Sequence, residues 1–304
     1  MTNETIPLLK RLKINTVAAP DIGLVENWYT KWLGYNVCER GEISGDLASS
    51  WGTPAMAGNP YLLMQPESGV DVFMRVVAID EVPEYKPMTT LGWNAFELII
   101  DDVYKLHGKL VNSPFKIIGE PAPLDGELNF IHAMQVLGPA GEAIYLTCDV
   151  TREPDSLLPL PGSFVDRPFI VILAGNGVDT MQTYYCEKFL MKREEDMKTP
   201  IGVIADAQSL PKDHMFDMGF MGLSQVGNFI EYDGYDDTCG PRPCHSGQLP
   251  PGCSSVSFSV DSLESMDLDY VGEEISGPGM AYGGGRCRTA RGPVGELIEI
   301  IEGP

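Results

Sequence analysis

Apolar and polar positions along this chain fall into two alternating rhythms. Residues 12–19 form a short, almost continuous apolar run that ends at Pro20-Asp21, the pattern of a buried strand. The spacing then lengthens. Leu24, Val25, Trp28, Tyr29, Trp32 and Leu33 share one face of a predicted helix, and Gly34 terminates it. Residues 35–39, 61–65 and 70–77 read as three more strands. A second unit repeats this order: a strand at 93–100, a helix at 102–110 opened by an acidic residue, and strands at 115–118, 130–136 and 143–148. Residues 151–167, carrying Pro154, Pro159 and Pro161 just ahead of Pro168, read as a linker. A third unit comprises a strand at 169–174, a helix at 179–189 and strands near 201–205, 215–223 and 228–232. A fourth runs from a strand at 254–260, through a short helix after Ser262, to a strand at 297–301. The pattern predicts four βαβββ motifs.

Two phrases recur. Leu137-Gly138-Pro139-Ala140-Gly141-Glu142-Ala143-Ile144-Tyr145-Leu146 returns as Arg291-Gly292-Pro293-Val294-Gly295-Glu296-Leu297-Ile298-Glu299-Ile300. The helical segment around Trp28-Tyr29-Thr30-Lys31-Trp32-Leu33-Gly34 returns, less closely, around Tyr184-Tyr185-Cys186-Glu187-Lys188-Phe189-Leu190. Self-similarity of this kind indicates internal duplication. It predicts that motif 1 corresponds to motif 3 and motif 2 to motif 4. The domains expected from it are 1–150 and 168–304, joined by the linker 151–167, each formed by two consecutive motifs.

Composition narrows the class. With 304 residues, 43% hydrophobic and 21% charged, the chain reads as globular protein of two domains. A net charge of -22, from 21 basic and 43 acidic residues, argues against a nucleic-acid partner, which requires clustered Lys and Arg. No apolar run is long enough to span a bilayer, and no charged-then-apolar leader opens the sequence, so a cytoplasmic protein with no membrane partner is expected. Seven cysteines, an odd number without a secretion signal, do not suggest a disulfide framework. The spacing Cys239-x4-Cys244-His245-x7-Cys253 lacks the close Cys pairs of a zinc ribbon and reads as a loop over the scaffold.

Paired strand–helix–three-strand motifs closing on Gly-Pro-x-Gly-Glu, with residues 17–21 leading into Trp28-Tyr29-Thr30-Lys31-Trp32-Leu33-Gly34-Tyr35, resemble the vicinal oxygen chelate superfamily, which includes glyoxalase I, bleomycin-resistance proteins and extradiol dioxygenases. The resemblance covers about residues 10–302 and implies an α+β fold in which motif pairs curl into two cupped sheets, each enclosing a cavity. Metal-using members take His and Glu ligands from the first and last strands of each motif. The matching positions here are Ile14, Arg75, Ala95 and Tyr145 in the N-terminal half, and Ile170, Glu231, Ser255 and Glu299 in the C-terminal half. The imidazoles are gone, and an Arg repels a cation. No metal or other cofactor is therefore expected; if a metal were bound, it would sit near Glu231 and Glu299.

Without a metal, the chemistry falls to carboxyls. Glu231 and Glu299 in one C-terminal cup would repel each other, and an apolar wall would raise the pKa of at least one, as a general acid or base requires. The other cup would hold Arg75, Glu97 and Tyr145, with Glu97 on the same strand face as Ala95. His132 and His214 are further acid–base candidates, and Arg242, Arg286 and Ser255 are candidate ligand-binding residues. The expected function is a lyase or isomerase acting on a small aromatic or polycyclic molecule. The alternatives are a protein that sequesters a hydrophobic compound without turnover and an enzyme or dioxygenase with a carboxylate-held metal. A homodimer built through sheet edges is also compatible with such cups.

Overall fold

A computed structural model describes residues 6–153 and 156–303; Pro154 of the expected linker lies outside them. Motif 1 comprises β1 (Arg11–Ala19), α1 (Ile22–Trp28), β2 (Asn36–Glu42), α2 (Gly45–Ser50), β3 (Pro60–Gln65) and β4 (Phe73–Ala78). Motif 2 comprises β5 (Gly92–Ile100), α3 (Val103–Leu110), β6 (Lys116–Pro123), β7 (Ile131–Leu137) and β8 (Ala143–Asp149). Motif 3 comprises β9 (Val165–Gly175), α4 (Val178–Phe189), β10 (Met197–Pro200), α5 (Gly202–Gln208), β11 (Met215–Gly222) and β12 (Phe229–Gly234). Motif 4 comprises β13 (Gly252–Val260), the 3-10 turn Leu263–Ser265, β14 (Ile275–Ser276), β15 (Arg286–Arg291) and β16 (Leu297–Glu302). Local chemistry sets several boundaries. The Asp21 side chain accepts from Leu24 N at the start of α1, and Asp102 accepts from Lys105 N at the start of α3. Residues 201–205, expected as strand, instead lead into α5, whose buried Ile204 and Ala205 lie three to four residues from exposed or half-buried ones.

The motifs form two eight-stranded sheets, but not in the expected partnership. One sheet runs β14-β15-β16-β13-β1-β4-β3-β2, and the other β10-β11-β12-β9-β5-β8-β7-β6. Motif 1 therefore pairs with motif 4, and motif 2 with motif 3. Each cup takes one motif from each half, so the boundaries 1–150 and 168–304 do not delimit the cups. The joints are antiparallel pairings of first strands, β1 with β13 and β5 with β9. The linker ends early because Val165–Arg167 already belong to β9, which lies beside β5. Duplication records which motifs are related; edge-to-edge hydrogen bonding decides which motifs meet.

Alternation along the strands divides the core. One set of side chains, including Val17, Phe96, Val171 and Phe258, packs with α1, α3 and α4 into a core shared by both sheets. The opposite faces turn into the separate cups. Ile14, Leu63, Phe73 and Val77 line one with Leu47 of α2; Ala95, Ile99, Ile170 and Ile172 line the other with Ile204 of α5.

The repeated phrases meet at the shared core. Glu142 is fully buried, and its carboxyl accepts hydrogen bonds from Tyr29 OH at 2.9 Å and from Ala140 N at 2.7 Å. Glu296 repeats the arrangement with Tyr185 OH at 3.1 Å and Val294 N at 3.0 Å. The carboxyl folds back over the first glycine of its phrase. A Cβ on Gly138 would lie 2.1 Å from Glu142 Oε1, and one on Gly292 would lie 1.9 Å from Glu296 Oε1. Each Tyr–Glu contact ties the helix of one motif to the last turn of the next, so the two phrases are halves of one clamp.

Removing a clamp donor leaves a buried carboxyl short of a partner. Tyr29→Phe should cost about 1–3 kcal/mol in urea unfolding, and Gly138→Ala should cost more because it displaces the carboxyl. A Tyr29→Phe protein as stable as the parent would show that the clamp contributes nothing.

Candidate functional site

The two cups have opposite interiors. In the cup of motifs 1 and 4, parallel register sets Thr16 beside Arg75 and Ser257 beside Glu299. Arg75 donates to Thr16 Oγ1 at 3.0 Å, Tyr282 OH at 2.6 Å and Glu299 Oε2 at 3.0 Å. Glu299 also accepts from Trp51 Nε1 at 2.7 Å, Tyr282 OH at 2.8 Å and Ser257 Oγ. The Arg75 guanidinium stacks over the Trp51 ring at 4.4 Å. Burial alone would raise the Glu299 pKa, but Arg75 and the surrounding donors together hold it below the ordinary carboxylate value. Trp51, following α2, and Tyr282, from the β14–β15 loop, fill the cup and leave a cavity of only about 10 Å³ beside Arg75. This is a closed, satisfied core.

The cup of motifs 2 and 3 is open inside. It encloses about 630 Å³, within the range of small-molecule sites. Its walls are mostly apolar, with Ile118, Ile131, Leu158, Ile170, Phe220 and Phe229 among them. Glu97, Tyr145, Thr147 and Glu231 form its polar floor. Glu97 lies opposite Tyr145 across β5 and β8, and Glu231 opposite Ile172 across β12 and β9. Asp233 projects from the same face of β12 two residues on and is 1% exposed. The three carboxyls are neighbours, with Glu231 beside both Glu97 and Asp233. Thr147 Oγ1 donates to Glu97 at 2.8 Å. Both Asp233 oxygens are buried and reached by no donor. Desolvation pushes Glu97 and Asp233 up to about 7. Desolvation and the flanking carboxylates raise Glu231 well above the ordinary carboxylate value. The Tyr145 phenol is likewise kept neutral by burial and by the acids around it.

The expected residues are thus redistributed. Glu231 and Glu299 do not share a cup: Glu231 faces Glu97 and Tyr145, while Glu299 faces Arg75. Their expected mutual repulsion is absent, and the repulsion that does occur is between Glu231 and its neighbours Glu97 and Asp233. Ser255 is buried, but the serine that reaches Glu299 is Ser257, and Thr16 rather than Ile14 meets Arg75. Arg242 does not face either cavity; it donates to the carbonyls of Trp93, Pro251 and Cys253 and to Thr90 Oγ1. Arg286 lies in a partly exposed network with Glu302 and Glu274. His132 meets Tyr104 OH at 2.9 Å, and His214 packs edge-on to Phe216 at 4.7 Å; neither lines the open cup. His245 contacts the Glu81 carbonyl, and Cys244 is exposed while Cys253 is buried, so the loop does not gather a zinc site. Asp233, Thr147, Trp51, Ser257 and Tyr282 went unrecognised in the sequence. Asp233, Thr147 and Ser257 carried a signal, the i, i+2 spacing from Glu231, Tyr145 and Ser255.

No family model and no curated protein matches the chain. Solved structures do. Glyoxalase I from Zea mays superimposes with a TM-score of 0.62 at 16% identity, covering 96% of this chain and 92% of that one. A putative dioxygenase from Bacillus subtilis subsp. subtilis str. 168 superimposes with a TM-score of 0.59 at 11% identity, covering 99% and 86%. The chain has the vicinal oxygen chelate fold. In that fold the four end-strand positions of a cup are the metal positions of metal-using members. Neither set here fits a divalent metal. The closed cup puts a guanidinium there, with the carboxylate already saturated by donors. The open cup offers Glu97, Tyr145, Ile172 and Glu231, and its acids form a row rather than converging on a point. Among the described residues, no three His, Cys, Asp or Glu side chains form a metal-holding group. Likewise, no helix among them is long and apolar enough to cross a membrane.

Two outcomes follow from this electrostatic contrast. Arg75→Met strands a buried carboxylate and should cost about 3–5 kcal/mol, whereas Arg75→Met with Glu299→Leu should recover most of it; chemical denaturation of both variants checks this. The open cup acts in the opposite sense with pH. Glu97 and Asp233 have folded pKa values above their unfolded ones, so the native state binds more protons and stability falls as pH rises. Their contribution is complete below the unfolded carboxylate range and lost as pH climbs through about 7. The melting temperature should decline between pH 5 and 8, and more shallowly in Asp233→Asn. An equal slope in that variant would remove Asp233 from the account.

Proposed function

We propose that the cup of motifs 2 and 3 is the working site of an enzyme that moves protons on a small hydrophobic molecule, by lyase or isomerase chemistry. The observation that supports this reading is a pair of neighbouring carboxyls, Glu97 and Glu231, lining an apolar cavity of about 630 Å³. Burial raises both groups, Glu97 to about 7, which suits the exchange of protons near neutral pH. Thr147 orients Glu97 for that task.

With an aromatic or polycyclic ketone in the cup, Glu97 takes a proton from the carbon beside the carbonyl. The C–H pair moves into a new C=C bond, and the carbonyl oxygen receives a proton from Glu231. The result is an enol. Returning a proton at a different carbon gives an isomer; expelling a group from the β-carbon gives elimination. The neutral Tyr145 hydroxyl on the same floor provides a further donor for the oxygen.

The test uses a panel of aromatic and polycyclic ketones in D2O, with deuterium entry beside the carbonyl followed by NMR. The expected result is exchange that Glu231→Gln and Glu97→Gln each slow by about 100-fold or more while ligand affinity is kept. Ligands that bind tightly without exchange or turnover would instead make this a sequestering protein.

A further inference from the structure

Among the described residues, the floor of the open cup carries acidic side chains and no basic one. Glu97, Tyr145 and Glu231 line its floor, and Asp233 stands behind Glu231. The other strands packed around the row, β9 and β11, present Ile170, Ile172, Met218 and Phe220, and beyond β12 stands the phenol of Tyr235. Lys212 is the one basic side chain among the lining residues. It lies at the mouth, its side chain 82% exposed and 3.7 Å from Asp206. Arg242, on the far side of Tyr235, has its N–H groups engaged by main-chain carbonyls. Asp233 is buried with neither oxygen reached by a donor.

The closed cup shows what such a floor lacks. There Glu299 has its own cation, Arg75, on the last strand of the partner motif. In the open cup the last strands bring Tyr145 and Glu231, and the positive charge is missing. A chain of net charge -22 also draws cations toward it and repels anions.

We propose that the hydrophobic ligand of the open cup carries an amine besides its carbonyl, bound as the ammonium cation against the row of carboxyls, with its apolar body along Ile131, Ile170, Phe220 and Phe229. This rests on the reading of the open cup as the working site and names the substrate class that site takes. The ammonium N–H groups supply the donors that Asp233 lacks. A neutral ligand brings no charge to the row, and a carboxylate ligand adds a further acid to it.

Three probes with one ring system separate these cases: naphthylethylamine, naphthylethanol and naphthylacetate. Each is titrated into the full-length protein near neutral pH, displacing the neutral fluorescent reporter N-phenylnaphthylamine. The amine should bind roughly 10- to 100-fold tighter than the alcohol, the scale of a charge-assisted hydrogen bond in a desolvated site, and the acetate should bind least. In Asp233→Asn the advantage of the amine should shrink several-fold, with the alcohol binding as before. If the reporter binds but amine and alcohol compete equally, the cation is wrong and the cavity reading stands. If neither the reporter nor any naphthyl probe binds, both fall. The comparison among probes on the unmutated protein decides the matter even if the variant fails to fold.

Discussion

The architecture turns on a buried carboxyl held between two motifs. Glu142 and Glu296 close the last turn of motifs 2 and 4, yet the hydroxyl each receives comes from a helix of the preceding motif, Tyr29 or Tyr185. A carboxyl removed from water needs its donors, and burial has pushed both to about 7. The clamp therefore specifies which helix lies on which turn. It fixes consecutive motifs back to back across the shared core, leaving their sheet edges free to pair with the other half. Consecutive motifs in contact and alternate cups crossing the halves are two consequences of one placement. The glycine that opens each phrase is required because the carboxyl occupies the space a Cβ would take.

From that common frame the cups diverge through the chemistry of a few side chains. Both motif 1 and motif 3 insert a helix between their second and third strands, α2 and α5. The first delivers Trp51 to Glu299 Oε1, where the β14–β15 loop adds Tyr282; Arg75 and Ser257 occupy the other oxygen. The second brings Ile204 and Ala205, which cover the wall without reaching the floor. A buried ion pair is poor at adding stability compared with apolar packing, but it is strongly specific, since either charge alone is intolerable in that place. The closed cup thus depends on mutual neutralisation, and the open cup on protonation. Neutrality reached by protonation can be reversed by a ligand; neutrality reached by Arg75 cannot.

The parts of the structure legible in the sequence were those set by local period and by repetition. The order of strands and helices followed from spacing around Trp28, Tyr29 and Gly34, and the two phrases marked the closing strands. What the sequence did not carry was adjacency. The Glu231–Glu299 pairing failed because the same duplication is compatible with joining motif 3 to either motif 2 or motif 4. Residue choice on β1 and β13 failed for a finer reason: β1 and β13 shift register between Leu12 and Ile14 and again between Thr16 and Val17, and an offset of two residues separates Ile14 and Ser255 from Thr16 and Ser257. Trp51 and Tyr282 sit outside strands, where period gives no guide to what a side chain reaches. Glu97 was legible because it follows Ala95 on the same face, and Asp233 was available by the same rule.

The asymmetry between cups also bears on why such a chain tolerates three neighbouring buried acids, Glu97, Glu231 and Asp233, with no cation beside them. Desolvation opposes their ionisation, and repulsion along the row opposes it further, so an isolated core of this composition would be a liability to folding. The liability is confined to one cup. The other, with Arg75 and Glu299 satisfied and almost no cavity, and the shared core, with its two Tyr–Glu clamps, carry the stability of the fold. Two cups related by duplication allow this division: one is held rigid by internal neutralisation, and the other keeps unsatisfied groups facing a cavity. Asp233, without a donor of its own and separated from the cavity by Glu231, makes the point in one residue. It stabilises nothing that the structure contains, and it raises the proton affinity of the carboxyl that faces the ligand.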